Sequence, residues 1–271
     1  MTGFVCPVCR GNLIENGKVL RCENGHSYDI SRRGYVNLLM SQKSSDFHHG
    51  DSKEMVKARS EFLSLGLYEK LCDRVSDIVF AAAKKDMFIL DIGCGECYYT
   101  EKIAKRTADF SPTVCGIDIS KEALIAGAKR DKSINLAVAS AFDVPVGDGV
   151  ADVILNLFAP HDDKEFARIS KPGGTLVRVF PLDSHLYELK CAIYENPYKN
   201  EPDGFEIAGF EMTRSEKLEY SIHLDKNADI RNLFSMTPYS YKTSASDEQK
   251  FASLDSLDTK VEFAIITYTK E

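Results

Sequence analysis

The fold is decided by the stretch Ile89-Leu90-Asp91-Ile92-Gly93-Cys94-Gly95, a short apolar run that leads directly into a glycine turn. An apolar run of this length next to turn residues is typical of a buried strand. Gly93 and Gly95 would let a bound ligand approach the backbone closely, and Asp91 can hold the turn or a ligand amine. The next predicted strand ends in Asp118, where a carboxylate can accept hydrogen bonds from both hydroxyls of a ribose. The stretch therefore predicts a nucleotide-type ligand at the end of a central strand.

The glycine turn differs from that of dinucleotide-binding proteins. Their pattern, G-x-G-x-x-G, needs a third glycine, but this chain has Tyr98 there, where the side chain would crowd a pyrophosphate. Asp91 before the turn and Glu96 after it resemble the first motif of class I S-adenosylmethionine (SAM) methyltransferases. The turn Lys171-Pro172-Gly173-Gly174 also recurs in that superfamily. The pattern favours SAM as the cofactor, and a tight turn without a ligand is the alternative.

Strands and helices alternate around this turn. The predicted strands are Phe88–Ile92, Thr113–Ile117, Asn135–Ala139, Ala151–Leu157 and Thr175–Phe180, followed later by Thr213–Leu224 and Val261–Thr269. The predicted helices are one from Lys53, then Glu69–Lys84, Tyr99–Arg106, Lys121–Lys129 with Ser120 as its cap, Asp163–Ile169 and a region near His185–Tyr194. Repeated strand–helix steps indicate an α/β fold, a Rossmann-like doubly wound parallel sheet.

The amino-terminal residues hold a set of metal-ligating side chains at zinc-ribbon spacing, Cys6-x2-Cys9-x12-Cys22-x3-His26. Three thiolates and one imidazole complete a tetrahedral shell and leave no position for a reactive water, so the predicted Zn²⁺ is structural. The surrounding residues are rich in turns and weakly apolar, so a segment of this size needs a metal or another cross-link to fold. Free cysteines in a loop, or a redox pair of Cys6 and Cys9, are the alternatives.

Length and composition set the domain plan. The 271 residues, of which 44% are hydrophobic and 28% charged, suit one large domain with a small appendage. We predict a zinc-binding module over residues 1–34, a linker or substrate loop over 35–52, and a SAM-dependent methyltransferase domain over 53–271. The sequence lacks an apolar run long enough to cross a membrane and lacks the pattern of a signal peptide, which predicts a cytoplasmic protein.

The charge of the chain is unevenly distributed. A net charge of −7 does not by itself indicate a nucleic-acid-binding protein. Residues 1–60, however, contain nine Lys/Arg against six Asp/Glu, an excess of +3 on the zinc side. Arg32 and Arg33 are therefore candidates for contact with RNA phosphates, although a solvated pair of surface arginines explains the pattern equally well.

These motifs together resemble the RlmA (RrmA) family, from Cys6 to about Tyr241. Besides the zinc knuckles, the resemblance is carried by Arg33–Leu39, Gly50–Arg59, Asp91–Thr100, Ala159-Pro160, Lys171–Gly174, His185–Lys190 and Met236–Pro238. The family uses SAM to methylate N1 of a guanine in a hairpin loop of 23S ribosomal RNA (rRNA). The resemblance implies this activity, a homodimer, and a possible link to macrolide-type resistance.

The resemblance also implies roles for single residues. The matching positions are Cys6, Cys9, Cys22 and His26 as zinc ligands, Gly95 and Glu96 in the cofactor loop, and Tyr68 and His185 beside the SAM site. One residue departs from the family pattern, because Cys97 stands where the family usually has glycine. A side chain at this position is expected to narrow the turn or to pack under it.

The chemistry leaves several possibilities open. Methylation of N1 requires loss of the N1 proton, and His161 and His185 are the candidate acceptors. Phe158, which follows the fourth strand, can stack on a base or belong to the core. Two rival functions fit the sequence: a small-molecule SAM-dependent methyltransferase whose zinc module is only a structural cap, and a non-catalytic RNA-binding factor whose cofactor site Cys97 has disabled.

Overall fold

The computed structural model describes residues 3–40, 50–201, 204–239, 250–251 and 253–271. The strands in these ranges are β1 (Ile14–Asn16), β2 (Val19–Arg21), β3 (Ser27–Asp29), β4 (Tyr35–Asn37), β5 (Phe88–Ile92), β6 (Thr113–Asp118), β7 (Asn135–Val138), β8 (Ala151–Leu157), β9 (Ser170–Pro181), β10 (Phe210–Leu224) and β11 (Leu257–Lys270). The helices are α1 (Lys53–Leu63), α2 (Glu69–Ala81), α3 (Tyr98–Arg106), α4 (Lys121–Arg130), α5 (Asp163–Ile169), α6 (Tyr187–Ile193) and α7 (Asn227–Ser235), with a 3₁₀ turn at Ala108–Phe110.

The main sheet has the order β10-β11-β9-β8-β5-β6-β7-β4. Strands β4 to β9 pair in parallel, and β11 lies antiparallel between β9 and β10. The expected doubly wound sheet is present, but its carboxyl-terminal end is mixed. The chain builds outward from β5 in one direction and then from β8 in the other. The crevice between β5 and β8 is the place where ligands bind in such sheets.

The described part of the segment 35–52 is more ordered than a linker. Tyr35–Asn37 pairs with β7 as the edge strand of the main sheet, with Tyr35 and Val36 buried. A strand of three residues is too short to show a periodic pattern, so the sequence did not predict it. Residues 41–49, the polar part of the predicted loop, lie outside the described residues.

Local sequence explains where several helices begin and end. Ser120 caps α4 as predicted, since its hydroxyl accepts a hydrogen bond from the Ala123 backbone N–H at 3.2 Å. Helix α6 begins two residues after His185, which precedes the helix in a turn. Helix α7 was not predicted, because residues 225–235 combine few apolar side chains with several polar ones.

The zinc module and α5 cover one face of the main sheet. Phe4, Leu13 and Leu20 belong to the same buried cluster as Leu90 of β5 and Ile154 of β8. The other face is covered by α1 to α4, α6 and α7. A backbone hydrogen bond of 2.9 Å from the Val5 N–H to the Pro145 carbonyl ties the module to the chain beyond β7. The module therefore contributes core to the large domain instead of standing apart from it.

Within the described ranges, helices long and apolar enough to cross a lipid bilayer are absent.

Candidate active site and metal centre

The four predicted zinc ligands converge. One ligand atom from each of Cys6, Cys9, Cys22 and His26 lies within 4.8 Å of the other three. The turn between β2 and β3 brings Cys22 and His26 together, with Gly25 at φ +84° relieving the backbone. A set of three thiols and one imidazole at this separation fits a structural Zn²⁺ with a closed shell.

The surroundings of the thiols also suit a metal. Hydrogen bonds, above all from the Asn24 side chain, lower the pKa of Cys9 to about 6. Burial instead raises the pKa of Cys22. The Tyr28 hydroxyl lies 3.2 Å from the Cys6 sulfur, where it can donate a hydrogen bond to a thiolate. Such a donor next to a ligand sulfur is typical of the shell around a bound metal.

A cavity of about 890 Å³ opens at the carboxyl ends of the parallel strands. Its floor is the glycine turn after β5 and the ends of β6 and β8, and its walls come from α1, Tyr68, His185 and residues 236–239. This is the crevice where the strand order reverses, the expected ligand site of the fold. Every residue predicted to bind the cofactor lines this cavity, namely Tyr68, Asp91, Gly93, Gly95, Glu96, Asp118 and His185.

The glycine turn packs tightly against the loop after β8. Gly93 has φ +80°, and a Cβ on it would lie 2.3 Å from the Cβ of Ala159. A side chain at position 93 is therefore excluded by space as well as by conformation. The Gly95 N–H donates to Asp118 Oδ2 at 2.8 Å, and the Ser120 N–H donates to Oδ1 at 2.7 Å. Asp118 thus holds the turn in place, and burial raises its pKa.

Two buried carboxylates leave acceptor atoms for a ligand. Thr100 donates to Asp91 Oδ2 at 2.6 Å, whereas Oδ1 of Asp91 and Oε2 of Glu96 are buried and accept no hydrogen bond from the described residues. Burial raises the pKa of Asp91 to about 7. A cationic or hydroxyl group in the cavity would satisfy these oxygens. These two acceptor oxygens therefore fit SAM, whose amino group and ribose hydroxyls can donate hydrogen bonds.

Arg130 and Thr100 were not assigned a role from the sequence. Arg130 forms an ion pair with the other oxygen of Glu96 and lies over the Tyr98 ring. Arg59 of α1 was named only as part of the Gly50–Arg59 motif, but it lines the cavity. It forms an ion pair with Asp51 and donates a hydrogen bond to the Met236 carbonyl at 3.3 Å. Contacts of this kind join distant parts of the chain, so sequence spacing gives no signal for them.

Tyr68 and His185 pack together in the wall of the cavity. The Tyr68 hydroxyl lies 3.5 Å from His185 Nε2, and both rings contact Phe263. The Glu262 backbone N–H donates to His185 Nδ1 at 3.1 Å, so the neutral ring carries its hydrogen on Nε2. Burial lowers the pKa of His185 to about 3. His185 is therefore a neutral hydrogen-bond donor, and its geometry does not suit the role of proton acceptor.

His161 is held in a similar way. A guanidinium nitrogen of Arg178 lies 3.2 Å from His161 Nδ1, and arginine can only donate. His161 Nε2 faces Asp163 at 3.6 Å, and the ring stacks on Phe166. With Nδ1 accepting and Nε2 directed at a carboxylate, His161 also does not suit the role of proton acceptor.

Cys97 is accommodated in the turn. It adopts φ +62°, the left-handed conformation that glycine would favour, and its side chain is fully buried. Space for the sulfur comes from Gly127 of α4, because a Cβ on Gly127 would lie 2.6 Å from the Cys97 sulfur. Cys97 thus occupies the turn in a conformation that glycine also adopts readily, with its sulfur in the space that Gly127 leaves.

Comparison with known proteins agrees with this site. A family model described as "RlmA, N-terminal" matches residues 4–46, and one described as "Methyltransferase domain" matches residues 89–174. A 23S rRNA (guanine(748)-N(1))-methyltransferase of Streptomyces fradiae is 33% identical over 243 residues, covering 87% of this chain and 85% of the relative. The chain belongs to the RlmA family.

A second relative comes from Bacillus subtilis (strain 168). This putative 23S rRNA (guanine-N(1)-)-methyltransferase is 29% identical over 274 residues, covering 97% of this chain and 95% of the relative. As a member of the RlmA family, the protein is a SAM-dependent methyltransferase with a zinc ribbon, and its fold class is the one predicted from the sequence.

Proposed function

We propose that this protein transfers a methyl group from SAM to N1 of a guanine in a hairpin loop of 23S rRNA. The similarity to the Streptomyces fradiae enzyme over 87% of the chain carries the proposal. The position of the zinc module supports it. A second element beside the cavity can hold an RNA hairpin while one base leaves its stack and enters the cavity.

The zinc module and the cavity meet at the segment after β7. Arg10, in the first zinc knuckle, donates to the Val144 carbonyl at 2.8 Å and forms an ion pair with Asp143. The neighbouring Phe142 lines the cavity and is 59% exposed. An exposed ring that lines the cavity is suited to stacking on an RNA base. We therefore propose that the RNA crosses from the zinc module to the cavity over this segment.

The residues of the chain mainly position the two reactants. Bound SAM would supply the methyl group on its sulfonium. Asp91 would face the amino group of SAM, Asp118 the ribose, and Phe158 would offer its ring to the base. Transfer requires the guanine N1 to lie in line behind the methyl carbon, so positioning accounts for most of the rate. Because both histidines are engaged elsewhere, we assign the N1 proton to solvent at the cavity mouth.

Three further properties belong to the proposal. As the resemblance implies, we propose that the protein forms a homodimer and acts in the cytoplasm. We also propose that its methylation contributes to macrolide-type resistance. Sedimentation velocity would test the dimer, and drug susceptibility of a deletion strain would test the resistance.

The rival functions are less well supported. A non-catalytic RNA-binding factor would not need two carboxylates, Asp91 and Glu96, that line a cavity and each keep a buried oxygen without a partner among the described residues. A small-molecule methyltransferase would not need an RlmA-type ribbon. Deleting residues 1–34 cannot separate these functions, because Phe4 and Leu20 of the module are part of the core. The test therefore needs the full chain.

The deciding experiment combines methylation with primer extension. The full-length protein and SAM are incubated with 23S rRNA from a strain that lacks the modification. Methylation of guanine N1 blocks Watson–Crick pairing, so a SAM-dependent stop of reverse transcriptase at one guanine is expected. Asp91→Asn is the control, and it should give no stop. Absence of a stop with wild-type protein that binds SAM in calorimetry would contradict the proposal.

A further inference from the structure

Asn156 has an unusual setting at the carboxyl end of β8. The residue is 2% exposed and lines the cavity. Its side-chain nitrogen Nδ2 donates to the Ile92 carbonyl at 3.5 Å and to the Pro160 carbonyl at 3.3 Å. Carbonyls only accept hydrogen bonds, so these two contacts fix which atom of the amide is nitrogen. Oδ1 is then the atom of Asn156 that can serve a ligand, and it can only accept.

The loop that carries Asn156 lies against the cofactor turn. Ile92, which accepts from Asn156, directly precedes Gly93, and Gly93 leaves room for Ala159. Phe158, which lies between Asn156 and Ala159 in the chain, has φ +58°, lines the cavity and is 43% exposed. A bulky residue adopts this left-handed conformation only where the surroundings impose it, which is common at functional sites. Asn156 and Phe158, which both line the cavity, therefore lie in one loop beside the glycine turn.

This pair matches one edge of guanine. Guanine presents O6, the N1–H and the exocyclic 2-amino group in a row, whereas adenine lacks the 2-amino group and has an unprotonated N1. An acceptor such as Oδ1 attracts the 2-amino group and repels the lone pair of adenine N1. When the 2-amino group is held and the ring is stacked, the adjacent N1 is presented to the cofactor.

On the basis of the proposed function, we propose that Asn156 Oδ1 accepts a hydrogen bond from the 2-amino group of the target guanine. Asn156 is then a specificity-determining residue, which both selects guanine and sets the position of N1. Inosine is the matched probe, because it keeps O6 and N1–H and lacks only the 2-amino group.

The test uses two hairpin RNAs, with guanosine or inosine at the target position mapped by primer extension. Methylated nucleoside is measured by mass spectrometry. Wild-type protein should use the inosine hairpin with a kcat/KM about 10-fold to 100-fold lower, the effect of leaving a buried acceptor unpaired. Asn156→Ser, whose shorter side chain withdraws the acceptor, should use both hairpins at similar, low efficiency.

Asn227→Ser is the control variant. Asn227 also donates from Nδ2 to two backbone carbonyls, those of Phe251 at 2.9 Å and Leu254 at 2.8 Å, but it does not line the cavity. Its substitution should lower stability and leave the guanosine-to-inosine ratio unchanged. Calorimetric SAM affinity, measured for both variants, shows whether the cofactor turn is intact.

The outcomes are distinct. Equal use of the two hairpins by wild-type protein overturns the inference, and this comparison holds even if Asn156→Ser does not fold. A wild-type preference for guanosine that persists in a SAM-binding Asn156→Ser variant also overturns it. Failure of wild-type protein to methylate the guanosine hairpin, with SAM binding intact, overturns the proposed function and the inference with it.

Discussion

The contact between Cys97 and Gly127 predicts a strong coupling between the cofactor turn and α4. In Gly127→Ala, the new Cβ would lie 2.6 Å from the Cys97 sulfur and 3.3 Å from the Glu96 carbonyl carbon. Because Cys97 is fully buried, its sulfur can move away from the new Cβ only by displacing or rearranging core atoms. The substitution should therefore push on the turn that carries Glu96.

The magnitude follows from two opposing effects. Alanine in a helix is more favourable than glycine by about 1 kcal/mol. Overpacking a filled core costs about 1–3 kcal/mol. Gly127→Ala should therefore lower the free energy of unfolding by as much as about 2 kcal/mol, and it should weaken SAM binding as the turn shifts.

A double-mutant cycle isolates the contact. Cys97→Gly removes the sulfur and so loses buried apolar surface. It also removes the cost of a left-handed conformation in a residue other than glycine, about 1–2 kcal/mol. The two effects should roughly cancel in the free energy of unfolding. Adding Gly127→Ala to Cys97→Gly should then be less costly than in the wild-type protein, since the 2.6 Å contact with the sulfur is absent and only the 3.3 Å contact with the Glu96 carbonyl carbon remains. Urea unfolding of the four proteins should give a coupling of about 1–3 kcal/mol. Additivity within about 0.5 kcal/mol would refute the argument.

Three other results are expected. Chelation of zinc, or Cys22→Ser, should lower the melting temperature of the whole chain in one transition, since the module shares the core; two separate transitions in calorimetry would contradict this. Burial raises the pKa of Asp91 to about 7, so the folded state binds this proton more tightly than the unfolded state, and stability should fall as pH rises from about 4 to about 7. Asp91→Asn should reduce this fall in unfolding experiments, leaving the part that belongs to Asp118, whose pKa burial also raises, and it should weaken SAM binding; an unchanged pH profile would be inconsistent with it. Phe158→Leu should lower kcat/KM for RNA about 10-fold and leave the calorimetric Kd for SAM unchanged, and an equal loss of both would count against base stacking.

The sequence predicted those parts of the fold that depend on local pattern. The central strand before Gly93, the alternation of strands and helices, and the cap at Ser120 were confirmed, because they follow from periodicity and turn chemistry. The edge strand at Tyr35–Asn37 was missed because it is stabilised by its pairing with β7 and not by its own pattern. The same holds for the packing of the zinc module on the sheet.

The site was predictable to a similar extent. The zinc ligands lie close in sequence, and the cofactor residues follow a motif, so both were visible. The hydrogen-bonding state of His161 and His185 could not be predicted. It is set by Arg178 and by the Glu262 backbone N–H, which lie far from these histidines in the chain. The role of Asn156 likewise depends on which carbonyls its amide meets.

The packing of the zinc module has a consequence for synthesis on the ribosome. Phe4, Val5 and Leu20 are synthesised more than a hundred residues before their partners near Pro145 and Ile154. Until then the nascent module has no surface to pack on, and only its metal can hold it together. Zinc binding should therefore precede assembly of the main sheet, which would then form on a module that has already folded around its metal.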